Sequence, residues 1–260
     1  MTVPATKTIR TIRTFKTHMR LPSGMPRLLL LCFLFLSGTL TAQKTLHGLV
    51  LDATSGQPLA GASVFLSNTS IGTVANGRGE FELTFPSGKY DLVISAVDYE
   101  TYSNTLSSTD LPERLTVRLK PKSRELAGIV VQPFEKDGWK TWGKFFLENF
   151  MGISKEAEHT VIRNKETLRF RRDHKTNELV VIAREPLIIE NNALGYRIRY
   201  QLEEFNYNFS SRFVTFYGFP LYEEMKGGAV RKRKWAEARR EVYYGSLMHF
   251  MRALYRNRLV

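Results

Sequence analysis

Histidines, the usual ligands of a hydrolytic metal site, are few in this chain, and their spacing from glutamate does not suit that chemistry. A hydrolytic zinc site draws on a His-x-x-Glu or His-Glu-x-x-His pair, because an open set of three ligands leaves room for the attacking water. Beyond residue 42 the histidines are His47, His159, His174 and His249, and none has glutamate at the third following position. The sequence therefore predicts no metal site and no cofactor.

Two other arrangements resemble catalytic groups. Ser246 precedes His249 by three residues but lacks the Gly-x-Ser-x-Gly turn of a nucleophile, so we expect it to cap a helix instead. The adjacent pairs 203–204 and 223–224 are both Glu-Glu, and neighbouring residues on a strand point to opposite faces. The sequence thus predicts no catalytic residue and no enzyme. A hydrolase whose Glu, His and Ser residues converge only in the folded protein is an alternative.

The first 42 residues have the composition of a secretion signal. Six basic residues and no acidic residue accompany a short apolar run, Leu28–Leu36, and the segment SGTLTAQ follows it. This order predicts a signal peptide over residues 1–42, with cleavage after Ala42. The run is too short to span a bilayer, so we expect no transmembrane helix in the mature chain. Export would place the protein in the periplasm or at the outer membrane.

The single cysteine, Cys32, lies inside the apolar run of the predicted signal. The mature chain would then contain no cysteine, which excludes disulfide bonds, thiolate catalysis and cysteine metal ligands. An exported chain without disulfides must bury a core large enough to stabilise it unaided.

The net charge of +13 is unevenly distributed. Residues 44–120 contain 6 basic and 8 acidic side chains, whereas residues 121–260 contain 26 basic and 17 acidic ones. This asymmetry indicates two units with different surfaces.

Residues 43–120 alternate apolar and polar side chains with the period of a β-strand. In FELTF, for example, Phe81, Leu83 and Phe85 share one face. Turn residues separate the segments, and Asn76-Gly77 is expected to take positive φ, as tight hairpins require. The glycines of residues 77–79 are turn residues and not a phosphate loop, because no helix follows them. The pattern predicts a seven-stranded antiparallel β-sandwich of the transthyretin or immunoglobulin type.

The same segment carries a specific motif, G-x-V-x-D-x-x-x-G-x-P-L-x-G-A-x-V. Its fixed positions are Gly48, Val50, Asp52, Gly56, Pro58, Leu59, Gly61, Ala62 and Val64. With later matches at Gly79, Phe81 and Tyr99, the segment resembles the carboxypeptidase regulatory-like domain, a transthyretin-like β-sandwich of Bacteroidetes-type exported proteins. A glycine usual before Tyr99 is Asp98 here. The resemblance implies an envelope setting and an accessory domain without catalytic residues.

The remaining chain has a different pattern. Residues 121–138 are predicted to be a linker with a short strand at Leu126–Gln132, and residues 139–260 an α+β domain of unknown function. A hairpin is predicted where the turn-like segment DHKTN lies between two apolar segments, ETLRFRR and ELVVIAREPLIIE. Strands rich in aromatic residues follow it. Two C-terminal helices that pack on the domain are predicted from the helical periods of KRKWAEARREV and GSLMHFMRALYRN.

The stretch WKTWGKFFLENF shows a helical period. Trp139, Trp142, Phe146 and Phe150 recur on one face at intervals of three and four residues. We expect this face to pack on a sheet. A helix lying on a membrane surface is the alternative, since Trp and Lys favour membrane interfaces.

Basic residues define the candidate contact surface for a partner. They are Arg231, Lys232, Arg233 and Lys234, together with Arg197 and Arg199 on a predicted strand. An exported protein is not expected to meet nucleic acid, so the candidate partners are an envelope protein, a glycan or an anionic lipid headgroup.

These observations favour a non-catalytic cell-envelope protein whose sandwich is a binding or assembly module and whose basic C-terminal domain contacts a partner. A fragment or relative of an outer-membrane TonB-dependent-type receptor is an alternative, because the aromatic strands from Tyr196 to Phe209 resemble strands of such receptors. The predicted helices argue against it.

Overall fold

A computed structural model of the chain describes residues 43–122 and 133–258, which belong to one compact unit. The signal peptide predicted for residues 1–42 and the strand predicted for Leu126–Gln132 lie outside the described residues. The described part is mainly β, with an N-terminal sandwich followed by an α+β region, as the sequence predicted. The limits of the domains stay a prediction.

Two facing sheets make up the sandwich. Its strands are β1 (Gln43–Asp52), β2 (Ser63–Leu66), β3 (Gly72–Val74), β4 (Glu80–Pro86), β5 (Lys89–Ser95), β6 (Tyr102–Ser107) and β7 (Leu115–Leu119). One sheet has the order β4-β1-β7 and the other β3-β2-β5-β6. The alternation seen in the sequence corresponds to burial, since Phe81, Leu83 and Phe85 all lie in the core between the sheets.

The prediction that every strand pair is antiparallel is wrong at one place. β1 and β7 pair in parallel, with Gly48 opposite Leu115 and Asp52 opposite Leu119. Strands β2, β3, β5 and β6 of the other sheet lie between them in the chain. That long crossover allows β7 to return in the same direction as β1, which a short hairpin cannot do.

The turn before β4 also differs from the prediction. The residue with positive φ is Gly79, at +72°, and not Asn76 or Gly77. The Asn76 side chain accepts hydrogen bonds from the backbone N–H groups of Arg78 and Glu80, at 2.8 and 3.1 Å. This side-chain-closed turn displaces the left-handed residue two positions along the chain.

Asp98 occupies the position where a glycine is usual in the resembling family. Its φ is +65°, so the backbone keeps the left-handed conformation, which aspartate tolerates better than most residues. The neighbouring Tyr99 hydroxyl donates to the Asp52 carboxylate at 2.7 Å. This bond lowers the pKa of Asp52 and raises the pKa of Tyr99. The turn therefore forms without the glycine.

The C-terminal region contains one antiparallel sheet and four helices. The strands are β8 (Thr160–Ile162), β9 (Leu168–Asp173), β10 (Glu178–Ala183), β11 (Leu187–Asn191), β12 (Tyr196–Asn208) and β13 (Phe213–Glu224). The helices are α1 (Gly138–Phe150), α2 (Lys155–Glu158), α3 (Ala229–Tyr243) and α4 (Leu247–Tyr255). The sheet order is β8-β11-β12-β10-β9, with β13 also paired to β12.

The hairpin predicted around DHKTN is confirmed as β9 and β10. The second predicted strand, however, divides into β10 and β11 at residues 184–186. Both pair with the long strand β12, β11 near its beginning and β10 near its end. Pro186 lies at the break, and its missing N–H suits a position between two paired segments.

Helix α1 packs on the sheet, as expected. Phe146 is fully buried and contacts Phe170 of β9 and Phe205 of β12, at ring-centroid distances of 5.9 and 4.9 Å. The Trp142 indole N–H donates to the Glu135 carboxylate at 2.9 Å. The apolar face of the helix thus packs inside the domain, as expected.

The sandwich and the C-terminal sheet meet through a small apolar contact. Phe65 and Val93 of the sandwich pack on Phe219 and Leu221 of β13. Beside them the backbone N–H of Asn68 donates to the carbonyl of Pro220, and the N–H of Tyr222 donates to the carbonyl of Thr69, both at 2.9 Å. The loop after β2 therefore pairs with β13 across the boundary between the two parts.

We predict that Gly79→Ala destabilises the sandwich by about 1 to 3 kcal/mol. A Cβ at Gly79 would lie 2.5 Å from the Val50 carbonyl oxygen, and the positive φ adds strain. Urea unfolding followed by circular dichroism measures the loss. Gly77→Ala is the matched control, because that position is open and φ lies outside the left-handed region. Equal losses in the two variants would contradict the turn geometry.

Candidate partner-contact surface

Within residues 43–122 and 133–258, no three or more His, Cys, Asp or Glu side chains lie where they could hold a metal ion. The Ser246 hydroxyl accepts a hydrogen bond from the backbone N–H of His249 at 3.1 Å, which confirms the predicted helix cap. The His249 Nδ1 atom lies 3.3 Å from the backbone N–H of Gly245. Ser246 and His249 thus fix a helix start and show no nucleophile–base contact.

The four consecutive basic residues 231–234 lie near the beginning of α3. All four side chains are exposed, and no ion pair or side-chain hydrogen bond joins them to any described residue. The helix starts at Ala229 with Gly228 as its N-cap, and its first turn contains no acidic residue. The positive end of the helix dipole therefore coincides with four positive side chains. Helix stability does not account for this arrangement, since basic residues at that end are unfavourable.

The other side of α3 is anchored to the sheet. Trp235 is buried, and its indole N–H donates to the Asn192 carbonyl at 2.9 Å. Its ring lies over Gly195, where φ is +68° and a Cβ would come within 2.2 Å of the ring. Arg239 donates to the Leu194 carbonyl at 2.7 Å and pairs with Glu224 at 2.6 Å. These contacts fix α3 on the sheet, while the side chains of residues 231–234 stay exposed.

A tight turn joins α3 to α4. Gly245 has φ +82°, and Ser246 then caps α4. The ring of His249 contacts the rings of Tyr243 and Tyr244, at centroid distances of 5.1 and 5.4 Å. The two helices are connected by aromatic packing at this corner.

The prediction that α4 packs its apolar face on the domain is wrong. Each of its large apolar side chains is half or more exposed, and these are Leu247, Met248, Phe250, Met251 and Leu254. Tyr255 is 92% exposed. The α3 anchor ends at Arg239, and none of these apolar residues belongs to a buried core cluster of the described residues.

We call residues 229–258 the C-terminal helical surface. It contains nine Lys and Arg residues and two Glu residues, a surplus of seven positive charges. Exposed apolar side chains on α4 accompany the exposed cations of α3. Such a combination suits a partner that is both anionic and partly apolar.

Arg197 and Arg199, the other predicted contact residues, lie on β12 and carry charges that are already paired. Arg197 and Arg163 both bind the Glu190 carboxylate, at 2.8 and 2.6 Å. Arg199 pairs with Glu223 at 3.2 Å. Their contact with a partner stays a prediction, whereas residues 231–234 of α3 have no competing carboxylate in the described chain.

The comparison with protein families concerns the sandwich. Residues 46–131 match the family model of the CarboxypepD_reg-like domain. This segment is thus similar to the carboxypeptidase regulatory-like domain, and we call it the regulatory-like domain. The match confirms the resemblance inferred from the sequence motif, and the buried alternating strands of the regulatory-like domain explain why its hallmark residues are turn and core positions.

Comparison with solved structures gives weak similarities. A protein of unknown function from Bacteroides fragilis, provisionally described as membrane-associated, shares 16% identity over 62% of this chain and 65% of its own, with a TM-score of 0.25. DUF3823 family proteins from Bacteroides ovatus and Parabacteroides merdae share 11% and 12% identity over 72% of this chain and 83% of theirs, with TM-scores of 0.24 and 0.23. No curated protein matches the chain.

The ionic cluster around Glu190 was not predicted from the sequence, although a charged residue at the end of an apolar run is a signal for such a cluster. Glu190 ends an apolar run, and its side chain is only 9% exposed. In β12, Arg197 lies directly opposite Glu190 in the register with β11. Hydrogen bonds from Arg197 and then Arg163 lower the pKa of Glu190 despite its burial.

We predict that Glu190→Gln lowers the free energy of unfolding at neutral pH by about 1 to 2 kcal/mol, since both arginines are half exposed and water replaces part of the loss. The depressed pKa of Glu190 means that its contribution is complete above its ordinary value of 4.5 and is lost as pH falls through the folded pKa. The difference between the two proteins should therefore shrink in acid. Denaturant titrations at several pH values measure it.

Glu148→Gln is the control for this substitution. Glu148 forms only an exposed pair with Lys144, at 3.8 Å. Its replacement should leave stability unchanged. A difference between wild type and Glu190→Gln that stays constant down to the acid limit would refute the assigned role.

Proposed function

We propose that the protein is a non-catalytic, exported cell-envelope protein that attaches to an anionic phospholipid surface through its C-terminal helical surface. The regulatory-like domain serves as a folded binding or assembly module. The observation that carries the proposal is the coincidence, on α3 and α4, of unpaired cations with exposed apolar side chains.

The charges favour a lipid surface for an electrostatic reason. Each Lys or Arg close to an anionic membrane contributes about 1 kcal/mol. Four such residues are adjacent on α3, and the positive end of the helix dipole adds to their field. Because no described carboxylate pairs with them, their attraction for an external anion is not offset within the protein.

The apolar residues of α4 favour a membrane interface over a purely ionic partner. Its nine residues have a strongly amphipathic arrangement, and the apolar side chains are exposed together. An amphipathic helix of this kind lies in the headgroup region with its apolar side toward the acyl chains. No helix in the described parts of the chain is both long and apolar enough to cross a membrane.

Two observations support a non-catalytic role. The matched family is a regulatory-like fold, and Ser246 and His249 take part in a helix cap. What supports export is the basic, then apolar, then small and polar order of residues 1–42.

Binding to lipid vesicles tests the attachment. We expect the protein to bind vesicles of phosphatidylcholine mixed with phosphatidylglycerol and to bind pure phosphatidylcholine weakly, with affinity falling as salt rises. Changing residues 231–234 to alanine should lower the partition coefficient at least about tenfold. Phe250→Ser combined with Leu254→Ser should weaken binding that remains at high salt. Flotation with quantified protein measures both effects.

The matched control removes the same number of charges elsewhere. Alanine at Lys89, Arg118, Lys120 and Lys122 takes four exposed cations from the sandwich and should leave binding unchanged. Equal losses from both sets would mean that net charge alone is responsible and would refute a specific surface. Dimerisation through α4 without vesicle binding would also refute it.

Cell fractionation tests the location separately. We expect the chain in the membrane or periplasmic fraction, with a mature amino terminus at Gln43, because the signal is predicted to end at Ala42. N-terminal sequencing of the recovered protein identifies the cleavage site. Recovery only from the cytosol with an intact leader would contradict the envelope assignment.

A further inference from the structure

A polar groove runs along the boundary between the regulatory-like domain and β13. It has a volume of about 410 Å³, within the range of ligand sites. One wall comes from the sandwich, and its polar side chains are Ser67, Asn68, Asp91, Ser103, Asn104 and Thr105. The other wall is formed by residues 217–219 of β13. Neither part of the chain makes the groove alone.

The strand geometry explains how these residues meet. Asp91 and Val93 are two residues apart on β5 and share a face, and Val93 packs on Phe219. Asp91 therefore lies just beyond the apolar contact, with Thr105 opposite it on β6. On β13, Tyr217 likewise extends past Phe219 on the same face. The apolar contact between the two parts thus forms the inner end of the groove.

The aromatic wall is unusually open. Tyr217 is 51% exposed, and its ring meets Phe219 edge to face at 5.0 Å. Between them, Gly218 allows β13 to approach β12 closely, since a Cβ there would lie 2.3 Å from the Gln201 carbonyl oxygen. The strand is held so that the Tyr217 ring presents an accessible face beside polar side chains.

Much of the hydrogen-bonding capacity of the polar wall is unused. Asp91 accepts one side-chain hydrogen bond, from Thr105 at 3.1 Å, and a carboxylate can accept several. Asn104 donates only a long bond, 3.4 Å, to Tyr102, and its side-chain carbonyl accepts none from the described residues. The hydroxyl of Ser103 likewise has no side-chain partner in the described chain. A ligand rich in hydroxyl groups would satisfy these groups.

The charge of the groove separates it from the C-terminal helical surface. In a chain of net charge +13, none of the described residues lining the groove is Lys or Arg, and the one ionisable acid is Asp91. An anionic headgroup would meet an uncompensated carboxylate there. The groove therefore disfavours an anionic ligand, and its open aromatic ring and hydrogen-bonding side chains favour an uncharged one rich in hydroxyl groups.

We propose that this groove binds a neutral saccharide. A sugar ring has hydroxyl groups around its edge and C–H groups on its faces, which match the polar wall and the Tyr217 ring, whose face carries partial negative charge. Carboxylate, amide and hydroxyl side chains are the complementary donors and acceptors. The site does not depend on attachment to lipid, because it uses no residue of α3 or α4.

Isothermal titration of the purified protein with maltohexaose, cellohexaose, xylohexaose and mannohexaose tests the proposal. We expect at least one of these neutral sugars to bind. Tyr217→Ala and Asn104→Ala should each weaken that binding about tenfold, whereas Tyr217→Phe should retain most of it. Phe213→Ala is the matched control, because Phe213 is an exposed aromatic residue of the same strand outside the groove, and it should bind as wild type does.

Several results would overturn the proposal. Failure of all four sugars to bind would do so, as would equal weakening by Tyr217→Ala and Phe213→Ala. Tighter binding of a hyaluronan hexasaccharide or of spermidine, lost in Tyr217→Ala, would show that the groove takes a charged ligand instead. Thermal unfolding of each variant establishes that it is folded, and Tyr217→Phe still tests the ring contribution if Tyr217→Ala unfolds.

Discussion

The contact between the outer face of the sandwich and β13 is the constraint on which the arrangement of the two parts depends. Phe65 and Val93 would be exposed apolar residues on an isolated sandwich, and Phe219 and Leu221 would be exposed on an isolated sheet. Their burial removes both apolar patches from water. The backbone hydrogen bonds beside them also fix the direction and register of β13 against the loop after β2. The apolar contact and these hydrogen bonds therefore join the two parts with a defined strand direction.

Strand β13 transmits that geometry to the surfaces with proposed functions. It pairs with β12 along its whole length, and a bulge between Leu202 and Glu204 adjusts the register near the domain contact. Tyr217 of β13 lines the polar groove. Glu224, at the end of the same strand, forms an ion pair with Arg239 of α3. Both surfaces are thus positioned by one strand, although they differ in charge and suit different ligands. This common support is why neither surface can be understood from its own segment alone.

Alternation of apolar and polar residues was sufficient to predict the sandwich, since burial follows directly from the period of a strand. Local capping was equally predictable, as Ser246 shows, because a cap depends on residues three apart. The parallel pairing of β1 and β7 and the groove beside Tyr217 were not predictable, since they join residues tens to more than a hundred positions apart. The exposure of α4 was misjudged for a related reason. An amphipathic period states that one face is apolar and does not state what covers it.

The places where the sequence departs from the rules of a stable fold are informative because they lie at the surface. Four basic residues lie near the start of α3, where the helix dipole is positive and disfavours them. The apolar side chains of α4 are exposed, and about half of the Tyr217 side chain is exposed to water. Each feature leaves a charge or an apolar surface in water on the isolated protein. Elsewhere the chain follows the rules, with a buried core and paired charges such as those on Glu190. Sequences that agree with their fold at most positions usually break that agreement where a site requires it. These features also differ in kind, because the helices are cationic and apolar whereas the groove is polar and aromatic without a cation. A single partner does not explain both.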